Sequence, residues 1–125
     1  MVTYGNKKLD AVFFRTENET EPVREWLKEL TKADKKVIGE DITTVQYGWP
    51  LGMPLVDHLG QGLWEIRTRL SGGRIARIIF FMDSNTMVLV NGFIKKTRKT
   101  PISELELSRK RKKAIYAIMI REELT

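Results

Sequence analysis

A chain of 125 residues is about one domain long, enough to bury a real core without covalent staples. With 42% hydrophobic residues, 30% charged residues and no cysteine, it is composed as a globule, and disulfide frameworks, thiolate metal sites and cysteine catalysis are excluded. What remains is a formal net charge of +6, which speaks to partners and not to fold.

That charge is unevenly placed. Residues 1–63 hold 8 basic and 10 acidic side chains, residues 64–113 hold 13 and 4, and residues 114–125 hold 1 and 2. The excess lies in the middle stretch, where an anionic partner is expected to dock. No apolar run approaches the ~18 residues of a membrane span. Met1 to Lys8 lack the apolar core of a signal peptide, so the expectation is a cytoplasmic protein with no membrane contact.

Taken in chain order, Leu9 to Thr16 is rich in β-branched and aromatic residues and predicts a first strand. Thr20 reads as a helix N-cap with Pro22 in the first turn, and Val23, Trp26, Leu27 and Leu30 form one apolar helical stripe. Thr31 followed by Asp34 resembles a capping box and starts a second helix, stopped by Gly48 and Pro50. Two helices joined this tightly predict an antiparallel hairpin. Residues 48–62 are rich in Gly and Pro and read as loop.

Leu63 to Leu70 then alternates, which sets Glu65, Arg67 and Arg69 on one face and Trp64 and Ile66 on the other. After the turn Ser71-Gly72-Gly73, Arg74 to Met82 is a more uniformly apolar strand, expected at the centre of a sheet. A third strand, Thr86 to Phe93, runs into Ile94-Lys95-Lys96. Connections this short favour an antiparallel meander. Thr100-Pro101 resembles another N-cap and opens a helix over residues 101–123. The order β-α-α-β-β-β-α predicts a single α+β domain over residues 1–125, a helical hairpin packed on an antiparallel sheet.

The strand cations Arg67, Arg69, Arg74 and Arg77 and the run Lys95-Lys96-Thr97-Arg98-Lys99 are expected to converge on one surface. Like charges packed together suit a partner that brings phosphate, which arginine forks grip bidentately. The basic run Arg109 to Lys113 wraps all sides of a helix, so some of it must face solvent or a partner. His58 is the sole histidine and falls in the loop. Triad hydrolysis, histidine-pair RNA cleavage and a catalytic zinc site are therefore not expected, and no metal or cofactor is. No phosphate-loop motif occurs. Pre-placed cations can still drive one reaction without a metal. In RNA self-cleavage the 2′-hydroxyl attacks the adjacent phosphate, and Arg and Lys stabilise the charge that develops. A lysine in such a cluster becomes a conceivable general base or acid.

Three segments carry a family resemblance: Leu63-Trp64-Glu65-Ile66-Arg67, Gly73-Arg74-Ile75-Ala76-Arg77-Ile78, and Asn91-Gly92-Phe93-Ile94-Lys95-Lys96-Thr97-Arg98-Lys99-Thr100-Pro101. They resemble the phage-derived, HigB-like branch of the RelE/ParE toxin superfamily. The match runs from about residue 20 to residue 113, and the G-F-x-K-K-T-x-K-T-P pattern is its most specific part.

The resemblance implies the toxin of a type II toxin–antitoxin module with a small RelE-like fold. It implies an endoribonuclease that cuts mRNA without metal, typically in the ribosome. A cognate antitoxin, often a helix-turn-helix protein, neutralises the toxin, and DNA is met only through that complex. Carried over by position, Arg67, Arg77 and Lys96 are the catalytic cations. Arg69, Arg74, Lys95, Arg98 and Lys99 bind RNA. Glu65 orients an arginine, acts as a base if buried, or forms a surface ion pair. The sequence departs from the pattern at Asn91, where many relatives carry histidine, and in having no tyrosine after Lys96 until Tyr116. Two other readings stay open: a ParE-like gyrase-inhibiting toxin, and a basic nucleic-acid-binding domain without chemistry. The Arg/Lys cluster favours the nuclease, because gyrase poisoning needs no phosphate-stabilising constellation.

Overall fold

Strand pairing organises the chain. The computed structural model describes the backbone of residues 5–123 and the side chains of residues 5–115, so the side chain of Tyr116 and the apolar stretch after it lie outside the described residues. The elements are β1 (Asp10–Phe13), α1 (Pro22–Glu29), α2 (Lys32–Gly48), β2 (Val56–Gly60), β3 (Leu63–Arg69), β4 (Ile75–Asp83), β5 (Thr86–Lys95) and α3 (Ile102–Glu123). The strands form one sheet in the order β1-β5-β4-β3-β2.

The meander expected over β3, β4 and β5 is present, and β4 lies at the centre with Ala76 to Phe81 continuously buried. Two expectations are corrected. First, the sheet is mixed: β1 runs parallel to β5, pairing Asp10 with Thr86 and Phe13 with Leu89. The intervening helices and strands provide the long crossover that a parallel pair requires. Second, the Gly/Pro-rich stretch contains a strand. Val56–Gly60 pairs antiparallel with β3 at the sheet edge, so His58 is a strand residue and not a loop residue. The hairpin turns through positive φ at Gly60, Gln61 and Gly62 (89°, 54° and 76°), a geometry for which glycine carries no steric penalty. The element order is therefore β-α-α-β-β-β-β-α.

Both faces of the sheet are covered. Val23, Ile38 and Val45 of α1 and α2 pack with Val56, Ile66, Ala76, Ile78, Phe80, Met87 and Leu89 on one face. On the other, Leu105 and Ile115 of α3 lie against Leu63, Ile79, Phe81, Val88, Val90 and Phe93. At ~25 cal/mol per Å² of apolar surface removed from water, these two clusters are the main source of stability. Trp26 lies directly on β5: a Cβ at Gly92 would stand 2.5 Å from its Cε3 atom, so the glycine is what lets helix and strand approach.

Capping is mixed. Thr31 caps α2 as expected, its hydroxyl accepting from the Asp34 amide at 3.2 Å. Thr20 does not cap α1, whose N-cap is Glu21. A bulge in β5 leaves Val90 unmatched between the Ile79–Asn91 and Phe80–Leu89 pairs, which turns both Val90 and Asn91 toward α3. Asn91 donates to the Glu104 carbonyl at 3.3 Å, and the Val90 carbonyl accepts from Arg111 at 2.7 Å. Among the described residues no helix is long and apolar enough to cross a membrane.

Candidate functional site

The row Glu65–Arg67–Arg69 shares its face with α3, and α3 covers only part of that face. Below the helix, β3 and β4 place Arg67 directly opposite Arg77. Like charges in register repel, and this pair is tolerable because Glu65 stands two residues away on the same face. Its Oε1 accepts from Arg67 Nη1 at 2.9 Å and lies 3.8 Å from Arg77 Nε. Its Oε2 accepts from the Thr100 hydroxyl at 2.6 Å. Glu65 and Arg77 are both 0% exposed.

The Arg77 guanidinium donates to the Lys95 carbonyl at 3.4 Å and to the Thr97 carbonyl. Its Nε has no hydrogen-bond partner. Burial, and then the Arg67 charge, pull Arg77 below its ordinary pKa, against the opposing pull of Glu65. An arginine remains charged at neutral pH even so, and the buried group therefore keeps an excess of positive charge.

Above it opens a cleft of about 420 Å³, lined by Met53, Pro54, Asp57, Arg67, Arg69, Ile75, Lys96 and Arg98. Arg67 and Arg69 come from β3, and Lys96 and Arg98 from the loop after β5. The facing wall comes from β2 and the segment before it. A smaller space of about 310 Å³ continues past Arg67 and Arg69 toward Val37 and Asp41 of α2. Among the described residues the main wall offers four cations against one carboxylate, Asp57. A dense cationic wall beside uncompensated buried charge suits an anion, and planar guanidinium forks suit phosphate oxygens in particular.

The family model for phage derived protein Gp49-like (DUF891) matches residues 25–113. The chain belongs to the Gp49-like family. That family is of a RelE/HigB-type, toxin-like kind. The match extends from α1 into α3 and includes every residue of the cleft wall. No curated protein matches the chain.

Within this Gp49-like domain the expected site residues separate into three groups. Arg67, Arg69, Lys96 and Arg98 meet in the cleft. Glu65 and Arg77, both expected among the catalytic residues, lie beneath it with no exposed surface and do not line it. Lys95 and Lys99 are exposed but outside the cleft wall.

Arg74 belongs to none of these groups. It points to the other side of β4 and binds Asp34 of α2 through two hydrogen bonds of 2.8 and 3.1 Å. It also donates to the Ser71 carbonyl at 2.9 Å. Alternation puts Arg74 and Arg77 on opposite faces, so Arg74, expected to bind RNA, does not line the cleft. His58 stacks on Trp64, with ring centroids 4.2 Å apart, away from the cleft. Asn91 is committed to α3. The run Arg109 to Lys113 is likewise divided: Arg111 and Lys112 turn inward, while Lys110 and Lys113 stay exposed.

Sequence reasoning misses Asp57 and Met53 because it leaves residues 48–62 as loop. The signal for β2 is present but weak, since Gly60-Gln61-Gly62 is a hairpin turn between two short runs containing Val56 and Leu63. It also misreads Thr100 as a helix cap, whereas the first turn of α3 bonds to the Pro101 carbonyl and the Thr100 hydroxyl goes to Glu65. Among the described residues no group of three His, Asp or Glu side chains is placed to hold a metal ion.

Proposed function

We propose that this Gp49-like protein is the toxin of a toxin–antitoxin pair, an endoribonuclease that cuts mRNA on the ribosome and is neutralised by its cognate antitoxin. The observation that carries the reading is the cleft in which Arg67, Arg69, Lys96 and Arg98 converge over the buried Glu65–Arg77 pair, to which Arg67 is joined. The toxin-like character of the family supports it.

In the proposed reaction the 2′-oxygen of one nucleotide bonds to the adjacent phosphorus while the bond to the 5′-oxygen breaks. The products are a cyclic phosphate and a free 5′-hydroxyl. The four cleft cations hold the charge that builds on the phosphate oxygens and the leaving oxygen, a role that fixed donors perform without reorganising. Asp57 takes the proton of the 2′-hydroxyl, and Lys96 supplies one to the departing oxygen. Glu65 is buried, the condition set for a base, yet it does not act as one in this scheme, because it does not line the cleft and its two oxygens already accept from Arg67 and Thr100. DNA lacks the attacking hydroxyl, so the route selects RNA.

Primer extension on cellular messages after induction without an antitoxin tests the proposal. Cuts within translated codons that disappear in Arg67→Ala are the expected result. Growth arrest with intact messages overturns the nuclease reading. DNA-damage signalling in its place points to gyrase poisoning, and salt-dependent RNA binding without cleavage points to a basic binding domain.

A further inference from the structure

The loop after β5 carries half of the cationic wall, and residues 95–99 are all exposed. A solvent-exposed loop with four cations in five residues would ordinarily repel itself and move. Three buried attachments hold this one. Arg77 binds the carbonyls of Lys95 and Thr97, and Glu65 binds the hydroxyl of Thr100, which is itself 7% exposed. Lys96 and Arg98, the two residues that reach the cleft, alternate with the anchored positions. Glu65 does more than anchor. Its Oε2 holds the loop through Thr100, and its Oε1 holds Arg67, from the β3 half of the same wall, at 2.9 Å. One buried carboxylate thus sets the separation of the two halves of the cationic wall.

We infer that Thr100 is a positioning residue: through Glu65 it fixes the Lys96–Arg98 rim against Arg67 before any substrate arrives. Arg77 belongs to the same clip and acts through the loop backbone. The inference rests on the proposal that the cleft takes an RNA phosphate. Fixed placement matters there because stabilisation of developing charge depends on donors that are already in position.

The test compares the wild-type full chain with Thr100→Val, which keeps the shape and deletes the hydroxyl, and Thr100→Ser, which keeps the hydroxyl. Three quantities are measured: melting temperature, hydrogen exchange of the amides of residues 96–99, and cleavage kinetics on ribosome-bound message. For Thr100→Val the expected result is a melting temperature lowered by several degrees, because Glu65 Oε2 is left buried without its donor, faster exchange concentrated in the loop, and kcat reduced on the order of tenfold to a hundredfold with a smaller change in KM. Thr100→Ser restores both exchange and kcat. Wild-type exchange in Thr100→Val overturns the inference, as does failure of the serine to rescue. Thr100→Ala, which places no methyl against Glu65, replaces the valine variant if that chain does not fold. If the wild-type chain cleaves no message, the nuclease proposal fails on its own, and loop exchange alone then supports or overturns the clip.

Discussion

Two dense groups of basic residues meet different ends in this fold. At the cleft, Arg67, Arg69, Lys96 and Arg98 reach one open volume, where Asp57 is the one carboxylate of the lining among the described residues and Glu65, buried below, is shared between Arg67 and Arg77. On α3, Arg109 to Lys113 form the densest basic run in the chain, yet its charges scatter. Arg111 is drawn to the Val90 carbonyl at 2.7 Å and sits 5.8 Å from the Phe14 ring, and burial pulls its pKa below the ordinary value. Lys112 donates to the Gln61 carbonyl at 2.8 Å. The difference is one of periodicity. Five successive helical residues turn through more than a full circle, so two must face the sheet. Alternate residues of a strand share one side, so Arg67 and Arg69 add to each other. A count of charges along a chain is therefore a poor guide to the charge available at one place.

The largest expected break in that comparison is Arg77→Ala. Removing this fully buried side chain leaves a cavity and frees two loop carbonyls, while Glu65 keeps Arg67 at 2.9 Å, at a cost of about 2–5 kcal/mol. Urea unfolding should record that loss, while Lys110→Ala on α3 should stay within about 0.5 kcal/mol of wild type.

Next comes activity. Arg67→Ala should lower cleavage on the order of a hundredfold and reduce the salt slope of RNA binding by about one. Lys113→Ala should leave both near wild type. Equal losses in the two variants would mean that the helical run shares the work and the contrast is false.

Gly92→Ala acts on the opposite face. Its new methyl meets the Trp26 ring at 2.5 Å, and overpacking of this kind costs about 1–3 kcal/mol. The unfolding midpoint should fall while the folded fraction retains wild-type RNA affinity.

The smallest effect concerns Arg74, the cation withdrawn from the cleft. Its hydrogen bonds hold the Asp34 carboxyl below the ordinary 3.8. A depressed carboxyl pKa contributes stability that is complete above the ordinary value and disappears as pH falls through the folded one. The stability difference between wild type and Asp34→Asn should therefore be present at pH 7 and shrink below pH 3.8. A difference that persists unchanged into acid would remove the ion pair as its cause.

Much of this architecture is legible in local pattern. The period of two in Leu63–Arg69, the apolar run of β4 and the stripe of Val23, Trp26, Leu27 and Leu30 each name an element and its apolar side. Thr31 names a helix start. β2 is not legible in that way, because an edge strand has little apolar surface to bury and its five residues resemble a loop. The parallel partner of β1 is equally hidden, since β1 and β5 are separated by most of the chain.

The same division applies to the site. Local sequence by itself determined that the excess positive charge falls in residues 64–113 and that Arg67 and Arg69 share a face, because charge and strand alternation are properties of neighbouring residues. Only the tertiary structure decided what each cation does. It placed α3 over part of that face, buried Arg77 and Glu65 beneath a cleft, sent Arg74 to Asp34 and brought Thr100 to a carboxylate 35 positions away. Those outcomes depend on which layers cover which face of the sheet, and long-range packing settles that.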